Sequence, residues 1–110
     1  MKITYDKIEE MTLNEFAKKY DLEMVVRERD REIMSMPHIG HGGRFYAYFK
    51  RTEVKDGSIL CGSFGNGATP EDAINNYACE ISGKRLVKNA YRDDRVDIHP
   101  TRITAEWTED

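Results

Sequence analysis

Apolar residues recur at helical spacing in two stretches of the chain. The first stretch follows a capping box that begins at Thr12, and the second follows Thr69 and Pro70, an order typical of a first helical turn. Their apolar positions are Leu13, Phe16, Ala17 and Tyr20, then Ala73, Ile74, Tyr77, Ala78 and Ile81. The spacing predicts one helix at about 13–20 and a second that begins after Thr69 and stops at Gly83.

β-prone residues predict three strands between the two helices. The strands cover about 22–27, 44–54 and 59–64, and Lys55–Ser58 is typical of a hairpin turn in which Asp-Gly accepts positive φ. We therefore expect an α+β fold of the order αβββα, with a three-stranded antiparallel sheet packed on two helices. A C-terminal extension follows this fold.

The expected domain covers 1–88, and 89–110 are expected to form an acidic extension packed on it. The net charge is −3 and the pI about 5.6. From Arg92 onward there are three basic and six acidic residues, whereas 1–91 carry fourteen of each sign. Nucleic-acid binders usually have a clustered basic face and a high pI. The overall charge thus counts against nucleic acid as the main partner.

A glycine-rich junction precedes the second predicted helix. Gly65 and Gly67 are expected to form a sharp turn with positive φ between strand and helix. Such a junction can bind a phosphate, but Glu71 and Asp72 place two carboxylates in the first helical turn. These carboxylates would repel a phosphate, so we expect a structural turn and a helix cap.

Membrane and redox signals are sparse. No apolar run approaches the ~20 residues of a membrane span and the N-terminus lacks a signal-peptide core, so we expect a cytoplasmic protein without a membrane partner. Cys61 and Cys79 lie in a predicted strand and a predicted helix. We expect both to be buried thiols, and their spacing indicates no zinc site.

The histidines and the loop before 44 are further candidates for ion binding. His38 and His41 have metal-ligand spacing, with His99 as a distant third, but a complete ligand set is not evident. The glycine-rich loop at 38–43 could instead offer backbone amides to an anion beside Arg44. No catalytic constellation can be defended, so we expect no enzymatic activity, no cofactor and no metal.

Aromatic residues at 45–49 suggest a binding surface. In a strand, Phe45 and Phe49 face one way, while Tyr46 and Tyr48 face the other. The two tyrosines are either covered by the C-terminal extension or exposed to a base or a protein partner. The predicted contact residues are Arg44, Tyr46, Tyr48 and Lys50 with the 38–43 loop, and an acidic patch of Asp93, Asp94 and Asp97. The alternative set, for nucleic acid, is Lys18, Lys19, Arg44, Lys50 and Arg51.

The order of elements resembles the double-stranded RNA-binding domain over about 12–86. The matching features are Pro37-His38 before the second strand, Phe45 at its start, Gly65-Asn66-Gly67-Ala68-Thr69 before the second helix, and Ala73, Tyr77 and Ala78 on its packing face. The resemblance implies the αβββα fold. At the positions where that family has RNA-contacting lysines, however, this chain has Pro70, Glu71 and Asp72, and carboxylates repel a phosphate backbone.

Two further resemblances bear on function. Over about 45–82 the chain resembles antitoxins of the HicB type, which often end this segment in a similar Gly-x-Thr-Pro-Glu-Glu-Ala run. As a whole it resembles small phage or prophage accessory proteins, including anti-CRISPR inhibitors. The resemblance implies a non-enzymatic protein that contacts a host protein or nucleoprotein complex, with a dsRNA- or DNA-binding module as the alternative. Edge strands also allow a homodimer.

Overall fold

The computed structural model describes residues 8–29 and 43–107, and both predicted helices lie within these ranges. Helix α1 spans Leu13–Tyr20 and helix α2 spans Pro70–Ile81. The Thr12 hydroxyl accepts a hydrogen bond of 3.1 Å from the Glu15 amide, and the Glu15 carboxylate accepts one from the Thr12 amide, which lowers the pKa of Glu15. The capping signals in the sequence thus placed both helices correctly.

The strands form three sheets, so the expectation of one three-stranded sheet packed on two helices is wrong. Within the described residues there are nine strands: β1 (Glu9–Thr12), β2 (Met24–Glu28), β3 (Phe45–Phe49), β4 (Thr52–Asp56), β5 (Ile59–Cys61), β6 (Gly65–Gly67), β7 (Arg85–Lys88), β8 (Val96–Ile98) and β9 (Thr101–Thr104). The sheet orders are β1-β9, β2-β3-β6 and β5-β4-β7-β8. The fold is α+β, but not αβββα.

The predicted strand at 44–54 divides into two strands that belong to different sheets. Arg51 has a φ of 58°, which breaks the extended backbone between β3 and β4. Strand β3 then pairs antiparallel with β2 and β6, whereas β4 pairs antiparallel with β5 and β7. In the β4–β5 hairpin, Asp56 pairs with Ile59, so the central turn residues are Gly57 and Ser58 rather than Asp56 and Gly57.

The glycines at 65 and 67 have a different role from the predicted turn. They lie in β6, which pairs with Phe45–Ala47, and neither has a positive φ. A Cβ atom at Gly65 would lie 2.0 Å from the Tyr77 backbone nitrogen, and one at Gly67 would lie 2.4 Å from the Ala73 backbone nitrogen. Glycine is therefore required because α2 packs directly on the backbone of β6.

The two ends of the described chain meet in a parallel pair that the sequence pattern did not predict. Strand β1 pairs with β9 in a register that places Glu9 opposite Thr101 and Thr12 opposite Thr104. Strand β8 pairs antiparallel with β7. Residues after 88 therefore contribute to two of the three sheets. The division of the chain at 88/89 stays a prediction.

The core lies between α1, α2 and the inner face of the β2-β3-β6 sheet, and Met11, Leu86, Ile98 and Ile103 extend it to strands of the other two sheets. Phe49 is fully buried at its centre, with its ring centroid 6.0 Å from that of Phe16 and 5.4 Å from that of Tyr77. Burial raises the pKa of Tyr77 to about 12, and a hydrogen bond with the Phe49 backbone acts in the opposite direction. This packing fixes β3 and so leaves its other face to the outside.

Two further expectations concern the cysteines and the membrane. Cys61 and Cys79 are free and exposed, so the expectation of buried thiols is wrong. Cys79 lies on the outward face of α2, and Cys61 lies in β5 at the edge of its sheet. Neither helix in the described ranges is long and apolar enough to cross a membrane.

Candidate binding site on the outer face of the β2-β3-β6 sheet

Strand β3 carries two tyrosines on the sheet face opposite the core. Ala47 and Phe49 are fully buried on the inner face, whereas Tyr46 and Tyr48 are half-buried. The two tyrosine rings lie with centroids 6.1 Å apart and planes 11° from parallel. Period-two alternation along the strand therefore brings two aromatic rings together on the outside of the sheet.

Two arginines of the neighbouring strand border these rings. Arg27 lies directly opposite Tyr46 in the β2–β3 register, and its hydrogen bond with the Tyr48 hydroxyl raises the pKa of the guanidinium. Arg29, one residue beyond β2, has its guanidinium carbon 4.9 Å from the centroid of the Tyr46 ring. Both arginines thus lie on the same face as the tyrosines, and we call this set, with Phe64, the aromatic face.

Arg29 holds this face together through hydrogen bonds to several segments. Its guanidinium donates to the Gly43 carbonyl at 2.6 Å, to the Phe45 carbonyl at 3.3 Å and to the Asn66 side-chain oxygen. Its backbone amide also donates to the Arg44 carbonyl at 2.7 Å. Arg29 therefore connects the end of β2, the start of β3 and strand β6, and its charge is engaged in the fold.

Phe64 separates two open grooves at the end of this face. Its ring is 48% exposed and makes an edge contact with Tyr46 at 5.8 Å between centroids. The first groove has a volume of about 360 Å³ and contains Tyr46, Tyr48, Arg51, Glu53 and Phe64 in its lining. The second, of about 390 Å³, lies between Phe64 and α2 and is lined by Asn66, Asn76, Cys79 and Glu80. The exposed ring is thus accessible from both sides.

The cations predicted from the sequence fall into different environments. Arg44 forms an ion pair with Glu28, in which the arginine Nε donates to a carboxylate oxygen at 2.6 Å. The Lys50 ammonium nitrogen lies 3.8 Å from a carboxylate oxygen of Glu23. Only Arg51 of the predicted cations lines the first groove. The 38–43 loop, apart from Gly43, lies outside the described residues. The structure therefore joins Tyr46, Tyr48 and Arg51 in one site but not Arg44 or Lys50.

The lysines of the alternative nucleic-acid set lie on α1. Lys19 donates to Glu9 at 3.1 Å, and this hydrogen bond raises the pKa of its ammonium. Lys18 is exposed near the C-terminal end of the helix. The five cations of the set are thus divided among α1, the start of β3 and the β3–β4 turn, and three of them are in ion pairs.

The predicted acidic patch is partly neutralised by neighbouring arginines. Asp97 accepts a hydrogen bond of 2.7 Å from Arg95, which lowers the pKa of the carboxyl. The Asp94 carboxylate lies 3.7 Å from Nε of Arg92 and accepts a hydrogen bond of 3.1 Å from the side-chain amide of the buried Asn89. Asp93 is exposed. Two of the three carboxylates therefore have a charge partner within their own segment.

Of the three candidate metal ligands, the structure describes one. His38 and His41 lie outside the described residues, and His99 is exposed at the end of β8. In 8–29 and 43–107 there is no group of three or more His, Cys, Asp or Glu side chains that could hold a metal ion.

Sequence reasoning missed Arg27, Arg29 and Phe64 as members of the site. The two arginines have a recognisable signal, because they follow Val25 at a period of two and so share one face of the strand. Phe64 has none, because it was placed in a continuous strand that ends at Cys61 in the structure. No protein-family model matches the chain, and neither a curated protein nor a solved structure is significantly similar to it. Function must therefore be argued from the site.

Proposed function

We propose that the chain is a non-enzymatic binding protein that contacts a host protein or nucleoprotein complex through its aromatic face. The observation that carries the proposal is the cluster of Tyr46, Tyr48 and Phe64 beside an open groove. Tyrosine and arginine are enriched among the residues that dominate the binding energy of protein interfaces. Tyrosine buries a large area at a low cost in conformational entropy. The aromatic face combines both residue types on a rigid sheet.

The chemistry of the face favours a protein over a nucleic acid. A base binds such a sheet by stacking on a free aromatic ring. The Tyr46 ring is already contacted by Arg29, Tyr48 and Phe64, so within the aromatic face the exposed Phe64 ring is the one most open to a base. Single-stranded nucleic acids stack successive bases on several free rings. A peptide can use the edges and hydroxyl groups that remain, as well as the groove.

The identity of the partner class comes from resemblance and not from the geometry. The sequence as a whole resembles small phage accessory proteins, so we propose a phage-type protein that binds a component of its host. An inhibitor of a host defence system such as CRISPR is the particular case that this resemblance suggests.

The first test is an affinity capture that compares matched variants. Tagged wild-type protein, Phe64→Ala and Tyr91→Ala are incubated with lysate of the source cells, and bound proteins are quantified by mass spectrometry. Tyr91 is the matched control, because it is 86% exposed and lies outside the aromatic face. We expect a partner that wild type and Tyr91→Ala retain equally and that Phe64→Ala loses. Equal retention by all three proteins would contradict the proposed surface.

The second test separates the protein partner from the nucleic-acid alternative. Mobility-shift titrations with duplex RNA, duplex DNA and single-stranded DNA are run at two salt concentrations. Binding of nucleic acid through phosphate contacts weakens steeply as salt increases. We expect no shift at sub-micromolar protein. A salt-sensitive shift that Arg51→Gln or Lys18→Gln abolishes would replace the proposal with the nucleic-acid-binding module.

A further inference from the structure

Strand β2 is the longest of the strands that lie at a sheet edge in the described part of the chain. Strands β5, β6 and β8 have three residues each, and the outer edge of β9 is bonded to Gly83 and Ser82. Strand β1 has four residues, of which two are glutamates. Strand β2 has five, Met-Val-Val-Arg-Glu. It therefore lacks the short length, the proline and the lysine that commonly keep an edge strand from pairing with another chain.

Backbone hydrogen bonds show which groups of β2 point to its free edge. The Glu23 carbonyl accepts a hydrogen bond of 2.9 Å from the first residue after β3, and the Arg29 amide donates one of 2.7 Å to the residue before β3. In an antiparallel pair such bonds recur at every second residue, so the odd-numbered residues of β2 bond to β3. The amides and carbonyls of Met24 and Val26 therefore point the other way, where they bond to no group in 8–29 or 43–107.

The side chains of β2 are complementary to a second copy of the same strand. We propose that two copies of this chain pair through β2, antiparallel and with Val25 at the two-fold axis. Met24 then lies opposite Val26 of the second copy, so their free amides and carbonyls form hydrogen-bonded pairs. Arg27 lies opposite Glu23 of the second copy, and the symmetry repeats this contact at the other end. Apolar residues thus meet in the centre and opposite charges at both ends.

Charge and backbone geometry select this register over its neighbours. A pair centred on Val26 would place Arg27 opposite Val25, so the charge would face an apolar side chain. A shift by a single residue would set outward amides against residues already bonded to β3, which forms no ladder. A shift in the other direction is limited by Asp21, whose φ of 51° ends the extended backbone.

The existing ion pair of Glu23 does not prevent the new contact. Its carboxylate lies 3.8 Å from the Lys50 ammonium, with the two side chains 71% and 54% exposed. An exposed pair of this kind contributes little to stability, so Glu23 can contact an arginine of the second copy at a small cost.

The pair extends the sheet and brings two aromatic faces together. Tyr48 lies opposite Val25 in the β2–β3 register, so one row of side chains runs from Tyr48 across both valines to Tyr48 of the second copy. Neighbouring strands are about 4.8 Å apart, which places the backbones of the two tyrosines about 14 Å apart. The dimer therefore presents both aromatic faces on one continuous sheet. This goes beyond the proposed function, since the edge pairs whether or not a partner is bound.

The experiment measures self-association of the full-length protein by sedimentation velocity, from micromolar to millimolar concentration. The variants are Glu23→Arg, Arg27→Glu, the double variant that exchanges the two charges, and Arg102→Glu as a matched control. Arg102 is an exposed arginine of β9, outside β2 and outside the aromatic face. Circular dichroism of each variant shows that the fold is intact.

We expect wild type to form a weak dimer that dissociates on dilution, because two short strands bury less than the roughly 1,600 Å² of a standard interface. Each single reversal places like charges opposite each other twice, so it should weaken the dimer by about tenfold or more. The double variant restores opposite charges and should return to within about threefold of wild type. Arg102→Glu should match wild type.

Amide hydrogen exchange, followed residue by residue by NMR, locates the pair. The amides of Met24 and Val26 should exchange more slowly at high protein concentration than at low concentration, because only the dimer gives them acceptors. The amides of Val25 and Arg27 bond to β3 in either state and serve as internal controls.

Three results would overturn the proposal. A protein that stays monomeric at millimolar concentration does not pair through β2. A dimer that is unaffected by both single reversals forms through another surface. Single reversals that weaken the dimer without rescue by the double variant would contradict the register. None of these results bears on the capture of a partner through Phe64, so the proposed function is tested separately.

Discussion

Replacement of Gly65 by alanine tests the close approach of α2 to strand β6, on which the position of the aromatic face depends. The added Cβ would lie 2.0 Å from the Tyr77 nitrogen and 2.3 Å from the Ala73 oxygen, both of them backbone atoms. A Cβ atom and a non-bonded heavy atom are ordinarily at least about 3 Å apart, so α2 and β6 must separate by about 1 Å to accept the alanine. Overpacking of a core costs about 1–3 kcal/mol when side chains can adjust. Because a helix must move here, we expect a cost of at least about 3 kcal/mol.

The assay is urea denaturation followed by circular dichroism. A domain of this size is stable by roughly 5–15 kcal/mol, so the expected loss removes a large fraction of the total. Gly62→Ala is the matched control, because a Cβ there meets nothing within 4 Å and its φ is not positive. We expect the control to change stability by less than about 0.5 kcal/mol. If Gly65→Ala unfolds at the same urea concentration as Gly62→Ala, the packing of α2 on β6 is incorrect.

Three further changes test the core, a cap and the organisation of the site. Above pH ~10 the unfolded state loses the Tyr77 proton before the folded state does, so unfolding free energy should fall by about 1.4 kcal/mol per pH unit up to about pH 12. Wild type should therefore lose more stability than Tyr77→Phe over this range, and parallel curves would contradict the burial of the hydroxyl. Thr69→Ala removes the hydroxyl that accepts a hydrogen bond from the Asp72 amide at the start of α2, so it should lower the free energy of unfolding, measured in urea, by about 1 kcal/mol. Ser58→Ala is the control and should be nearly neutral. Arg29→Gln should lower the free energy of unfolding by about 2 kcal/mol, whereas the control Arg102→Gln should leave it almost unchanged. Equal urea midpoints for the two variants would show that Arg29 does not organise the aromatic face.

The helices could be predicted because their signals are local. Thr12 and Thr69 cap the helices within three residues of their partners, and Gly83 adopts a φ of 75° just beyond the end of α2. Each signal depends on a side chain and on a backbone group nearby in sequence. The rest of the fold is not needed to recognise them.

The β4–β5 hairpin follows from its local turn, but the order of the sheets could not be predicted, because the other strand pairings depend on distant parts of the chain. The β1–β9 pair joins residues about ninety positions apart, and nothing in Glu9–Thr12 identifies its partner. The glycines at 65 and 67 were equally ambiguous, since a glycine permits both a sharp turn and a close backbone approach. The local sequence favours the turn, whereas only the position of α2 reveals the close approach.

The candidate site was predictable to the extent that it depends on strand alternation. Tyr46 and Tyr48 face away from the core, as their spacing indicates. Arg44 and Lys50 are close to them in sequence, but each forms an ion pair with a glutamate. Arg44 pairs with Glu28 at the end of β2, and Lys50 pairs with Glu23 just before β2. Arg29 and Phe64 reach the rings from other segments. Composition and spacing along one strand therefore identified the rings but not their surroundings.

The central claim is that the aromatic face is the surface through which this protein binds its partner. Its most direct test is the dissociation constant of the purified partner, measured by calorimetry with wild type, Phe64→Ala and Tyr91→Ala. Loss of an aromatic contact at the centre of an interface costs about 2 kcal/mol, so Phe64→Ala should bind about thirtyfold more weakly, while Tyr91→Ala should match wild type. Equal affinities for all three proteins would contradict the claim.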